Sequence, residues 1–182
     1  MAVSNRAINA VTVDWLEVQP QHRVVEIGYG PGTALALLCE RVGEGFVAGV
    51  DPSPVMARQA YRRNRALVRH GRLRLTLGSS DRLPFPAGQF DRVCTVNTIY
   101  FWPTPEADLA EIHRVLKPGG QAVVTFRGTR HPVGTLSVRN VYGAQYSMEQ
   151  VAAMLTAVGL HEVRTEVRKL RFITAVCLVA RG

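Results

Sequence analysis

Seven residues, Glu26, Ile27, Gly28, Tyr29, Gly30, Pro31 and Gly32, constrain this chain more than any others. They follow the apolar pair Val24-Val25 and precede Thr33-Ala34-Leu35-Ala36-Leu37-Leu38, which reads as helix. A buried strand thus enters a glycine-rich turn and leaves as a helix. Such a junction offers a ligand unpaired backbone N–H groups and the positive end of a helix dipole. Glycine suits it because it tolerates positive φ and close approach of another group to the backbone. A dinucleotide turn spaced Gly-x-Gly-x-x-Gly would put its third glycine where Thr33 stands; here the glycines fall at 28, 30 and 32.

The rest of the chain alternates strand and helix around that turn. Residues 5 to 18 carry Ile8, Val11, Trp15 and Val18 at helical spacing, and Pro20 ends this leading helix. Asn5, Arg6 and Asn9 fall on another face, where they either border a ligand entrance or, as is commoner, are plain exposed helix polarity. Strand one covers about 22–28, and the helix after the glycines runs to about Val42. Strand two, 46–51, closes on Asp51, 19 residues after Gly32. An acid at the tip of the second strand of a βαβ unit can accept ribose hydroxyls. A helix from Pro52-Ser53-Pro54 to His70 follows, with Met56 in its first turn. Strand three is 73–77, and a loop over 78–86 leads to strand four, 92–96.

Past strand four come Asn97-Thr98-Ile99-Tyr100-Phe101-Trp102, at a sheet edge where open α/β folds bind ligands. Thr104, Pro105 and Glu106 start a helix that ends at Lys117-Pro118-Gly119-Gly120. Strand five is 121–126. Residues 127–146 are aperiodic and hold His131, Tyr142 and Tyr146; a connection this long in a compact domain points to function or motion. Ser147 caps a helix over 148–158. The runs 162–167 and 172–180 are too close together for a crossover helix and should form an antiparallel hairpin. The expected architecture is one α/β domain over 1–182, a doubly wound, mostly parallel sheet with helices on both faces.

Composition narrows the function classes. The longest apolar stretch, 172–180, is too short to span a membrane, and the start carries no apolar leader. Cys39, Cys94 and Cys177 have no metal-type spacing and read as reduced core residues of a cytoplasmic protein. The net charge is +8, with much of the excess in Arg58, Arg62, Arg63, Arg65, Arg69, Arg72 and Arg74. That run lacks interleaved aromatics and reads as a solvated helix face rather than a nucleic-acid surface.

Glu-x-Gly-x-Gly-x-Gly resembles motif I of the class I S-adenosylmethionine-dependent methyltransferases. Four further features resemble that family in the same order: Asp51 at its strand tip; Asp51-x-Ser53-x-x-Met56; Gly78 with Leu83-Pro84-Phe85 and Phe90-Asp91; and Glu111 to Gly120. In style the chain is similar to the small-molecule group that includes quinone-biosynthesis enzymes. The resemblance implies strand order 3-2-1-4-5-7-6 with strand seven antiparallel. It also implies S-adenosyl-L-methionine as methyl donor, S-adenosyl-L-homocysteine as product, and no metal.

By the same resemblance, Gly28, Gly30 and Gly32 would admit the methionyl part of the donor. Glu26 would orient the turn or meet the amino group, Asp51 would take the ribose hydroxyls, and Met56 would pack on adenine. Tyr29, Pro52, Ser80 and Asn97 complete the expected cofactor set. One position departs from the pattern: the acid that receives the adenine amine is Ser79 here, with Asp81 two residues later. For a small-molecule acceptor the candidates are Tyr100, Trp102, His131 and Tyr142, under a lid formed by 127–146. Tyr100 and His131 are the candidate general bases, although His131 reads as an ordinary loop histidine. Three alternatives stay open at this point: a nicotinamide oxidoreductase, a nucleic-acid methyltransferase using the basic surface, and a non-catalytic S-adenosylmethionine-binding protein.

Overall fold

The computed structural model of the chain describes residues 2–130, 136–139, 141–171 and 173–182. Its elements in order are α1 (Ala2–Trp15), β1 (Arg23–Ile27), α2 (Thr33–Arg41), β2 (Phe46–Asp51), α3 (Pro54–Arg63), α4 (Arg65–Arg69), β3 (Leu73–Leu77) and β4 (Phe90–Val96). A single 3₁₀ turn, Ile99–Phe101, leads to α5 (Pro105–Val115), β5 (Leu116–Arg130), β6 (Leu136–Arg139), β7 (Gln145–Ser147), α6 (Met148–Ala157), β8 (His161–Lys169) and β9 (Thr174–Arg181).

The main sheet runs β3-β2-β1-β4-β5-β9-β8. β1 to β5 pair in parallel, and β9 lies antiparallel between β5 and β8. This is the expected order, with two short strands intervening in the numbering. The apolar run near the C-terminus is an interior strand, as its composition required: Ala175 to Ala180 are all buried.

Helices cover both faces, so the central strands are apolar without alternation. Odd-numbered β1 residues Val25 and Ile27 face one core with α5 and α6, where Phe90, Phe126 and Leu109 are fully buried. The even-numbered Val24 faces a second core built on α1, α2 and α3. The even face also takes Glu26, two residues on, into an apolar layer.

Four expectations are revised. The leading helix stops at Trp15, five residues before Pro20, where the chain turns with Glu17 at φ 50°. The helix expected to reach His70 breaks at Asn64, whose buried side chain donates to the carbonyls of Gly32 and Ala60, both at 3.0 Å. Thr104 holds the N-cap position of α5 but makes no side-chain cap. The 127–146 segment is not wholly irregular: β5 extends to Arg130, β6 pairs with it, and β7 pairs with β6. The cap at Ser147 forms as a full capping box with Gln150.

Candidate functional site

The glycine turn is fixed by bonds reaching across the sheet's carboxyl end. Gly28 N–H donates to Val50 O at 2.7 Å, and Gly32 N–H donates to Tyr29 O at 2.9 Å. Asp51, itself buried, ties two loops together. One carboxylate oxygen accepts Gly30 N–H at 2.8 Å and the other accepts Ser53 N–H at 2.9 Å. All three glycines have positive φ. At Gly28 a Cβ would lie 2.1 Å from Thr98 Cγ2, so only glycine lets the loop after β4 close on the turn.

Gly32 has a different task from the expected one. A Cβ there would meet Asn64 Nδ2 at 2.6 Å and Ala60 Cβ at 2.9 Å. It seats α2 against α3 and borders neither cavity described below. Tyr29 borders the smaller of the two cavities described below, although most of the residue is buried. Its ring packs beneath Gly49 in the second core, its hydroxyl lies 3.5 Å from Thr76 O, and the residue is 2% exposed.

Two adjoining cavities open at this edge. The larger, about 630 Å³, runs from Gly28 and Gly30 past Asp51, Pro52 and Met56 to Ser79, Ser80 and Asp81. Asn97, Phe101, Trp102 and Asp108 wall its other side. The smaller, about 110 Å³, is bounded by Asn5, Asn9, Glu26, Tyr29, Pro31 and Thr33, and shares Gly28, Gly30, Val96 and Asn97 with the first. Asn5 and Asn9 therefore border a recess, the less common of the two readings of this helix face.

Glu26 is the most unusual charge in the recess. It is 2% exposed, and Oε2 has no hydrogen-bond partner. Burial first, and then the nearby Asp51 carboxylate, hold its carboxyl well above the usual range; a bond from the Leu35 amide opposes this weakly. Such a group presents an unmet acceptor to whatever enters.

The loop between β3 and β4 is latched from α5. Glu111 accepts Leu83 N–H at 2.6 Å and pairs with Arg114, which donates to Phe85 O at 2.9 Å and Leu83 O at 3.1 Å. The Leu-Pro-Phe stretch and the Glu-x-x-Arg of α5 thus depend on one another. Asp91 likewise accepts Arg23 N–H at 2.8 Å and Lys117 Nζ at 2.7 Å, which seats β4 beside β1. Within the loop, the exposed Ser79 donates its hydroxyl to Asp81. One turn before Glu111 stands Asp108, a carboxylate that sequence reasoning missed. It is 2% exposed, and its carboxyl is pushed up to about 6, chiefly by burial.

The expected acceptor residues divide. Trp102 is 3% exposed and walls the larger cavity, as does the exposed Phe101. Tyr100 does not reach the cavity. Its hydroxyl accepts Arg127 N–H at 2.6 Å and donates to Arg127 O at 3.0 Å, and burial pushes its pKa up to about 12. It is a clamp between the 3₁₀ turn and β5, and unsuited to taking a proton. Asn97, at φ 58°, joins the clamp by accepting Arg127 N–H at 3.1 Å. Tyr142 is 64% exposed on the segment after β6. His131 lies outside the described residues.

The seven arginines from Arg58 to Arg74 are all exposed, and Arg72 also donates to the carbonyls of Cys39 and Val42. The three cysteines are buried and free; burial pushes Cys39 up to about 11 and Cys177 up to about 12. Among the described residues no helix is long and apolar enough to cross a membrane, and no cluster of three or more His, Cys, Asp or Glu could hold a metal.

Comparison with known proteins covers the same region. The family described as "Methyltransferase domain" matches residues 24–120. An uncharacterized methyltransferase of Bacillus subtilis, YdaC, is 27% identical over 100% of this chain and 94% of its own length. A rice chloroplastic 2-methyl-6-phytyl-1,4-hydroquinone methyltransferase is 35% identical over 63% of this chain, which spans only 31% of that protein. Among solved structures, a SAM-dependent methyltransferase from Aquifex aeolicus has a TM-score of 0.76 at 19% identity, covering 94% of this chain and 88% of that one. Geranyl diphosphate methyltransferase in complex with SAM has a TM-score of 0.79 at 18% identity, covering 97% and 84%.

Proposed function

The chain belongs to the methyltransferase domain family, and from that premise we propose that it transfers the methyl group of S-adenosylmethionine to a small-molecule acceptor. The observation that carries this reading is the cavity of about 630 Å³ joining the glycine turn, Asp51 and the loop after β3. Its residues fit the donor. Gly28 and Gly30 leave room at the backbone, the orphaned Glu26 Oε2 suits an ammonium, and Asp51 borders the middle with lone pairs to spare for hydroxyls. Pro52 and Met56 offer an apolar bed beyond it.

When bound, the donor supplies a methyl group on a sulfonium sulfur, which leaves as a neutral thioether and needs no proton. The chain's work is therefore alignment and exclusion of water. Asn97 and Thr98, held by the Arg127 clamp and by Gly28, fix the wall on the acceptor side. Phe101 and Trp102 make that wall apolar and aromatic, which supports an apolar or aromatic acceptor. A base is required only where the acceptor has a proton to lose.

The test pairs calorimetry with S-adenosyl-L-homocysteine and a radiolabelled-methyl panel of phenols, hydroquinones, amines and small acids, run beside transfer RNA, DNA and protein. Label in a small molecule is the expected outcome. Label in nucleic acid alone would refute the acceptor class and make the Arg58–Arg74 face a phosphate-binding surface. Tight cofactor binding with no turnover on any acceptor would favour a binding protein.

A further inference from the structure

Asp108 is a buried carboxylate on the wall of a ligand cavity, and no cation answers it among the described residues. Its neighbours are the Ser80 hydroxyl and its own backbone N–H, which bond to it, and the Asp81 carboxylate, which raises its proton affinity. An acid buried with two neutral donors retains lone pairs that burial makes costly to leave unmet. Its position in the fold says which part of a ligand it faces.

The sheet order puts β1, β2 and β3 side by side, and their carboxyl ends carry the glycine turn, Asp51 and Ser79-Ser80 in that sequence. A donor with its methionyl part at the turn and its ribose at Asp51 must carry its base to the end of β3. Asp108 reaches that end because α5 is latched to the β3–β4 loop through Glu111 and Arg114, one turn further along the same helix. The acceptor side lies the other way, toward β4 and β5.

We infer that Asp108 receives the exocyclic amine of the bound adenine, a specificity role for which Ser79 is less suited, because it is exposed and a bond accepted there competes with water. This rests on the methyl-donor reading of the cavity. A buried acceptor facing position 6 of a purine selects an amino group over an oxo group, because a 6-oxo purine would set two acceptors against each other. Asp81 is the rival acid, but it is exposed, so a bond there competes with water.

Calorimetry with S-adenosyl-L-homocysteine and S-inosyl-L-homocysteine tests this on the whole chain. The unmodified protein should prefer the adenosyl compound by roughly tenfold or more, the cost of leaving a charged acceptor unpaired. Asp108→Asn, whose amide can turn to either partner, should shrink that preference to within about threefold, and Asp81→Asn should leave it unchanged. A preference that survives Asp108→Asn, or that is lost in Asp81→Asn instead, would overturn the assignment while leaving the methyl-donor reading intact. Binding of neither compound by the unmodified protein would overturn both. The pH dependence of the same ratio in the unmodified protein needs no variant. The ionisable group that bears on Asp108 is Asp81 from the loop after β3, and Asp51 is the other acid lining the cavity. The preference should fall below about pH 6, where a protonated Asp108 can donate to an oxo group. A ratio flat from pH 5 to 7.5 would count against the assignment.

Discussion

Glu26→Gln separates what the buried acid costs the fold from what it gives the ligand. In the folded chain the carboxyl lies well above its ordinary value of 4.5, because burial and Asp51 both disfavour the charge. The sign follows from proton counting. Between 4.5 and the folded value, the native state keeps a proton that the unfolded chain releases, so stability falls as pH rises, by about 1.4 kcal/mol per pH unit. Below the ordinary value this contribution is fully present; above the folded value the loss is complete. Glutamine does not ionise and should escape the whole slope. The stability difference, variant minus unmodified, should therefore climb with pH from near pH 4.5. The direction of the climb is set by burial and by the Asp51 carboxylate, which both raise the folded value.

The assay is urea unfolding between pH 4.5 and 8.5, followed by tryptophan fluorescence, since Trp15 and Trp102 lie in different environments. Taking the difference between two chains at each pH cancels the other titrating groups, Asp108 among them. Cofactor affinity should move the opposite way. Glutamine offers an ammonium no charge, and a loss of about 1.5–3 kcal/mol is expected by calorimetry with S-adenosyl-L-homocysteine. Parallel stability curves across the pH range would refute the reasoning. They would mean that Glu26 is already satisfied in the free protein.

Asp51→Ala should keep the fold but weaken cofactor binding by about 1–3 kcal/mol in calorimetry, through lost charge-assisted bonds and a loosened Gly30. Unchanged affinity would remove Asp51 from the site. Asn64→Ala leaves a void between α2 and α3 and strips two carbonyls of their donor. Its urea midpoint should fall by the equivalent of about 2 kcal/mol with the m-value unchanged. Tyr100→Phe should cost about 1 kcal/mol of stability and leave the pH–rate profile unmoved, because its hydroxyl serves the Arg127 backbone; a lost basic limb in that profile would restore it as a proton acceptor.

The parts of the fold legible in the sequence are those set by local, repeated signals. Apolar strands broken by glycine turns fixed β1 through β4 to within two residues at each end, whereas β5 starts five residues before and ends four after the expected 121–126. The short gap between the last two runs required the hairpin that puts β9 inside the sheet. What escaped depends on partners distant in the chain. Asn64 breaks α3 from α4 by bonding to Gly32, 32 residues away, and no local signal separates it from an ordinary mid-helix asparagine. β6 and β7 are four and three residues long and exist by pairing with the extension of β5, so their segment has no period of its own.

The site divides along the same line. Residues on the glycine turn and the strand tips could be named because a βαβ unit must bring those tips together, and Asp51 bonding Gly30 is the physical content of their spacing. Side-chain direction was the weak step. Tyr29 borders the smaller cavity, yet Gly49 of β2, lacking a side chain, leaves room for its ring underneath, so most of the aromatic is buried. Tyr100 and Phe101 are adjacent, and the 3₁₀ turn sends the first inward to β5 and the second to the cavity. Asp108 was hidden by its helix: an acid in a first turn reads as dipole compensation. What distinguishes it is position on the helix face. It stands with Leu109 and Ile112 among the buried positions of α5, while Glu106 on the same turn is exposed. A charge on the apolar stripe of an amphipathic helix must find a partner in the fold or in a ligand. The fold supplies Asp108 a serine hydroxyl and its own backbone N–H, both neutral.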